Sequence, residues 1–320
     1  MTVTHHAELP PDKEAIHRRA VRLEWITIAY LTSAVIAIYF TLGASQAMKA
    51  VWFEDLLSLV PPIAFLIASR VRRRQPDDDF PYGYHRAVGI SYLTSSLALL
   101  GMGFFILYDS VTKLIAFEHP PIGVVQPWGE PIWLGWFMLP ALVWSGIPAA
   151  ILGRKKLPLA NELHDKVLFA DAEMNKADWL TATAGIAGVI GIALGLWWAD
   201  ATAASFISFE IARDGWRNLQ RAVGDLMDAR PKLVDGSARD PLTTRVRNAL
   251  QELPWVDDVQ VRLRDEGHVF FGEATIVPRD GRDLVSRLDE ARELIRSLSW
   301  KLHDVIVTVA RSSDEDTRED

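Results

Sequence analysis

The residues best suited to chemistry lie in the stretch 165–182, DKVLFADAEMNKADWLTA, where acidic and amide side chains enter a membrane-length apolar run. On a helix, Asp171, Asn175 and Asp178 stand at i, i+4 and i+7 and share one face, with Met174 on its flank. A carboxylate inside a membrane is costly and ordinarily faces a partner, an ion or a water-filled pathway. Glu54 and Asp55 form a second acidic pair near the start of another apolar run, and the two stretches together point to a cation pathway through a helical bundle. The competing reading puts these acids in the membrane interface, where they only solvate helix ends.

Composition sets the frame that must position them. The chain has 320 residues, 49% of them hydrophobic, with 12 Trp and a mean hydropathy of +0.09, too apolar for an ordinary water-soluble protein. Long uncharged runs occupy the chain up to about Arg221, and beyond it charged and apolar residues alternate as in a small soluble domain. A net charge of −7 argues against nucleic acid as a partner. The absence of cysteine excludes disulfides, thiolate zinc sites and cysteine nucleophiles. No nucleophile–base–orienter set or phosphate loop is visible, so an enzyme is not expected. The polar N-terminus followed by a long apolar segment does not read as a cleaved signal peptide.

Membrane-length segments fall at 25–44, 51–69, 87–117, 132–153, 167–198 and 201–221, each near or above the roughly 20 apolar residues that cross a bilayer. The last is interrupted by Glu210, Arg213 and Asp214 and could also lie flat as an amphipathic helix. Glu210 could couple protons or pair with Arg213. Basic residues crowd the N-terminal arm (Lys13, Arg18, Arg19, Arg22), the second connection (Arg70, Arg72, Arg73, Arg74, Arg86) and the fourth (Arg154, Lys155, Lys156, Lys166), while the alternate loops hold only Lys49 and Lys113. The positive-inside rule then places both termini in the cytoplasm and supports six spans in a cell (inner or plasma) membrane. Trp128, Trp133, Trp136, Trp197 and Trp198 fall where an outer aromatic belt would lie. Small residues from Gly185 to Gly195 are spaced for close helix approach.

The tail reads as helix, strand, strand, helix, strand. Leu242, Val246, Leu250 and Leu253 recur at helical spacing; Val259, Val261 and Leu263 alternate with polar residues; a turn at Asp265, Glu266 and Gly267 precedes a strand at 270–277, a helix at 284–298 and a last strand at 304–310. This αββαβ order fits a ferredoxin-like α+β module without its first strand. The expected organisation is an N-terminal arm (1–23), an all-α six-helix transmembrane domain (24–222), a linker (223–240), a cytoplasmic ferredoxin-like domain (241–311) and a disordered acidic end (312–320).

With these pieces in place, the chain resembles the cation diffusion facilitator family. The resemblance rests on the segment Phe80-Pro81-Tyr82-Gly83-Tyr84-His85-Arg86 before the third span, on ADAEMNKAD entering the fifth, on LMDARP after the sixth and on the αββαβ tail. It implies a homodimeric exporter of divalent cations driven by proton antiport, with no resident cofactor and one site per protomer between spans 2 and 5. The family's four ligand positions correspond to Glu54, Ser58, Met174 and Asp178 here, so only two strong ligands survive. A shifted site of Glu54 or Asp55 with Asp171, Asn175 and Asp178 is the alternative, and its oxygen donors would favour Mn²⁺, Fe²⁺, Mg²⁺ or Ca²⁺ over zinc. Met174 either ligates, which softens the site, or packs in the bundle. The family's other metal positions hold Phe80 and Tyr84 in the loop and Val259, Leu288 and Thr308 in the tail, the last three suited to core. These imply a tail that dimerises without metal, with His85, His268 and His303 as surface histidines. The loss at Ser58 and Met174 leaves a second function open, a non-transporting membrane scaffold or regulator that keeps the architecture.

Overall fold

The structure, a computed structural model, describes residues 9–71, 74, 77–81, 84, 86–118, 122–126 and 129–311; His85, Trp128 and the acidic end at 312–320 lie outside the described residues. Its first helix, α1, runs Pro11–Thr41. A proline at its first position and Asp12 and Glu14 in its first turn suit a helix N-terminus, so the arm expected ahead of the first span is helical from Pro11 and continuous with it.

The second span differs from the single helix expected over 51–69. It forms α2, Gln46–Leu57, and α3, Val60–Val71. Pro61 and Pro62 carry no backbone N–H, and their rings crowd the carbonyls four residues back, at Leu57 and Ser58. The helix therefore closes on Ser58 N–H to Glu54 O (2.8 Å) and Leu59 N–H to Leu56 O (3.3 Å), and starts afresh. Non-helical backbone at membrane depth is tolerated where protein buries it or where it lines a cavity.

Helix α4 spans Ala87–Ile115, α5 Gly135–Leu163, α6 Lys166–Ala193 and α7 Ala199–Leu226. Ile132 and Trp133, expected to open the fourth span, instead form a short strand, β2 (Ile132–Trp133), paired antiparallel with β1 (Val124–Val125), and α5 begins beyond it. Among the described residues four helical stretches are long and apolar enough to cross a membrane: α1, α2 together with α3, Gly89–Ile115 and α5. Helices α6 and α7, at 28 residues each, have the length but carry more charge. Both expose large apolar groups, Trp179, Leu180 and Ile190 on α6 and Phe206, Phe209 and Trp216 on α7.

Glycines let these helices meet at their backbones. A Cβ on Gly103 of α4 would lie 2.6 Å from the Ala212 nitrogen of α7, and one on Gly146 of α5 would lie 2.6 Å from Ala182 Cβ of α6. The apolar core joining them includes Ile38, Met48, Val51, Met138, Leu142, Val189 and Ile207.

The tail is built from α8 (Leu242–Gln251), β3 (Val256–Asp265), β4 (Phe270–Pro278), α9 (Leu284–Leu298) and β5 (Leu302–Val309), with β3 antiparallel to β4 and β5 parallel to it. Val246, Leu250, Val259, Phe270, Ile276 and Ile295 form its core. Thr308, expected in that core, is exposed beside Thr275, because on β5 it alternates with Val307, which takes the inner face.

His268, expected at the surface, is buried. The β3–β4 turn packs against the α5–α6 connection, where His268 Nδ1 lies 3.0 Å from the Leu163 carbonyl, an acceptor left over at the end of α5, and Nε2 lies 3.2 Å from Asp165. In the opposite sense, His164, at a left-handed φ of 51°, reaches Asp265 at 3.4 Å, and Lys166 stands 3.0 Å from the same carboxylate. Burial pushes the Asp265 carboxyl up, but the His164 hydrogen bond and the Lys166 charge outweigh it and hold it below the ordinary carboxylate range.

Candidate metal site

The break between α2 and α3 meets α6 at the stretch singled out by its acids. The Ser58 hydroxyl donates to Met174 Sδ at 3.3 Å, which ties the end of α2 to α6 one turn before Asp178. Glu54, one turn before Ser58, and Asp178 are both buried and within electrostatic range of each other. Ser145 of α5 donates its hydroxyl to both oxygens of Asp55 at 2.9 Å. Tyr30 of α1 donates to the Trp144 carbonyl at 2.8 Å and also reaches that of Ser145, so α1 braces the stretch of α5 that holds Asp55.

The expected site residues therefore divide by what already satisfies them. Asp55 has Ser145. Met174 accepts from Ser58 and packs against the apolar core. Asp171 is paired with the Lys156 ammonium, which also reaches Glu24 at 2.8 Å, and all three side chains are fully buried. Asn175 donates both amide hydrogens to Asp171, at 2.9 Å to its backbone carbonyl and 3.0 Å to Oδ1. What remains is a set of buried oxygens without a hydrogen-bond partner among the described residues: Oε2 of Glu54, Oδ1 of Asn175 and both carboxylate oxygens of Asp178. Such oxygens call for a hydrogen-bond donor, a proton in the case of the carboxylates, or a cation. Among the described residues no group of three or more His, Asp or Glu stands in an arrangement that holds a metal by itself. These oxygens belong to two carboxylates and a neutral amide, on α2 and α6.

Sequence reasoning missed Glu24 and Lys156. Lys156 stands among the basic residues of the fourth connection and Glu24 is singled out by no motif, yet each sits on a buried helical stripe: His17, Ala20, Glu24, Thr27 and Leu31 on α1, and Leu152, Gly153, Lys156, Ala160 and Leu163 on α5. That spacing was the available signal. It also missed Asp200, buried at the start of α7, which accepts from the Ser45 hydroxyl and from the backbone N–H groups of Gln46 and Ala47, satisfying the open N-terminus of α2. Glu210 is paired with Arg213 at 2.9 Å.

Comparison with known proteins agrees with this architecture. Residues 24–227 match the model of the cation efflux transmembrane domain. The manganese efflux system protein MneS of Bacillus subtilis (strain 168) is 25% identical over 201 residues, 62% of this chain and 65% of that protein. MneP of the same organism, also a manganese efflux system protein, is 22% identical over 302 residues, 92% of this chain and 95% of its own. The magnetosome protein MamB of Magnetospirillum gryphiswaldense is 26% identical over 164 residues, 51% of either chain. The matches to MneS and MamB thus span less than two thirds of each relative. The matched segment begins at Glu24 of the buried ion network and ends at the foot of α7, and the chain is a multi-pass membrane protein belonging to the cation diffusion facilitator family.

Proposed function

We propose that this protein exports a divalent metal cation in exchange for protons, through a site between the broken second span and α6. The observation that carries the reading is the set of unpartnered buried oxygens on Glu54 and Asp178 beside the α2–α3 break. A buried carboxylate with no internal partner is protonated or holds a cation, so cation arrival from one side and proton arrival from the other exclude each other. Alternation between two conformations then couples the flows. Mn²⁺ is the first ion to test: the donors are mainly oxygen, which suits harder ions, and two relatives are named as manganese efflux proteins.

In this reading six spans cross the membrane, because α6 and α7 present apolar groups outward despite their charge. Both termini lie in the cytoplasm of a cell membrane, as the loop charges favour, and the tail is a ferredoxin-like module through which two copies pair. The second reading, a regulator without transport, is favoured by one contact: Ser58 and Met174, two of the four ligand positions implied by the family, satisfy each other.

The test is Mn²⁺ uptake into proteoliposomes under an imposed pH gradient. Uptake by the wild type and background signal in Asp178→Ala are expected. Undiminished uptake in Asp178→Ala removes that residue from the mechanism, and a wild type inert to Mn²⁺, Fe²⁺, Mg²⁺, Ca²⁺, Co²⁺, Zn²⁺ and Cd²⁺ selects the regulator.

A further inference from the structure

We infer that Lys156 and Asp171 are positioning residues for the cation site: they hold the Asn175 amide so that its carbonyl oxygen, and not its NH2, is offered as a neutral ligand. The inference rests on the export reading above. An amide has two donor hydrogens and one acceptor oxygen, and which end faces a site is decided by its neighbours. Here both hydrogens are taken by Asp171, one by its backbone carbonyl at 2.9 Å and one by Oδ1 at 3.0 Å. Oδ1 of Asn175 is left over, fully buried and without a partner among the described residues. It stands one helical turn before Asp178, whose two oxygens are also unpartnered.

Asp171 can do this because a carboxylate has two oxygens. Oδ1 takes the Asn175 hydrogen and Oδ2 takes the Lys156 ammonium, whose other contact is Glu24 at 2.8 Å. The ammonium has two effects. It holds the carboxylate in place, and it withdraws Asp171 from the cation, although its face of α6 would otherwise make it a ligand. The opposite amide orientation would set the Asn175 oxygen against the acceptor oxygens of Asp171, so it is disfavoured as long as that carboxylate keeps both partners. A neutral oxygen beside carboxylates, in place of a third negative charge, is a donor set for a hard divalent ion.

The test is Mn²⁺ binding to the full-length protein in detergent, by titration calorimetry. Asn175→Ala, which breaks no ion pair, is expected to weaken binding about tenfold or more, the range seen when groups that orient metal ligands are removed. Asp171→Asn is expected to lose a similar factor despite its near-identical shape, because its single carbonyl oxygen goes to Lys156 and its NH2 turns toward Asn175. Taking the ammonium away frees that oxygen, so the charge-free combination Glu24→Gln, Lys156→Met, Asp171→Asn is expected to bind within about threefold of wild type. A role in folding alone, or of negative charge alone, predicts no such recovery. The inference is overturned if Asn175→Ala binds as wild type does, or if the charge-free combination binds no better than Asp171→Asn. Should Asp171→Asn fail to fold, Asn175→Ala and the charge-free combination still decide it. Failure of the export reading looks different: the wild type then binds no Mn²⁺, or Asp178→Ala binds as tightly as wild type.

Discussion

Asp171 and Asp178 lie about two turns apart on α6, both buried, and they live in opposite circumstances. Asp171 belongs to a group that carries its own cation: Lys156 sits between it and Glu24, and Asn175 takes its other oxygen. Among the described residues, one oxygen of Glu24 and the Asn175 amide oxygen are the acceptors of that group without a partner. Asp178 has no internal cation at hydrogen-bonding distance among the described residues, and Glu54 and Asp55, within electrostatic range of it, are of like charge. The lesson is that acidity alone does not mark a transport site. A buried acid is structural where an ammonium, as at Asp171, or hydrogen-bond donors, as at Asp200, already satisfy it; the carboxylate oxygens of Asp178 have neither among the described residues.

The contrast can be broken at the paired end first. Lys156→Met strands two buried carboxylates and is expected to cost about 3–5 kcal/mol, read as a large fall in the thermal midpoint of the detergent-solubilised protein. A midpoint unchanged by this substitution would mean that the pair is not formed in the folded protein. Next comes a paired acid outside the membrane. Asp265→Ala removes the shared partner of His164 and Lys166 and is expected to cost about 2 kcal/mol, visible as faster hydrogen exchange in the β3–β4 turn.

The pH dependence of that contact has a definite sign. The Asp265 carboxyl is held below its ordinary value of 3.8, so its contribution is complete at neutral pH and is lost as pH falls below that value through the folded-state one. Protection of the turn that instead disappeared on going from neutral to alkaline pH would contradict the assignment.

A smaller effect is expected at the support of the unpaired end. Asp200→Ala leaves N–H groups at the start of α2 without their acceptor and should cost about 1–2 kcal/mol, with reduced Mn²⁺ affinity because α2 carries Glu54. The smallest belongs to Arg213→Ala. Its pair with Glu210 is part-exposed at the outside of the bundle, and a stability change of about 1 kcal/mol or less with unaltered uptake is expected; loss of uptake would bring Glu210 back as a coupling group.

Much of this was legible in the chain. The helical repeats of the tail became α8 and α9 and its alternating segments became β3, because half-buried elements must repeat with their own period. The burial of Asp171, Asn175 and Asp178 followed from their common face. The split of α2 from α3 was written in Pro61 and Pro62, but a hydrophobic run reads as one span until the missing N–H groups are counted. His268 was misjudged because its partners, Leu163 and Asp165, come from another element 105 and 103 residues earlier, and no local pattern announces them.

What the sequence determined by itself was the presence of acids in apolar helices and the periodic faces on which they stand, since these depend only on residue type and helical geometry. Which acid is neutralised was decided by tertiary structure. Lys156 stands 15 residues from Asp171 and 132 from Glu24, and only the packing of α1, α5 and α6 brings one ammonium between them. The charge left unpaired elsewhere on α6 is a property of that packing, because Coulomb attraction acts across space and takes no account of separation along the chain.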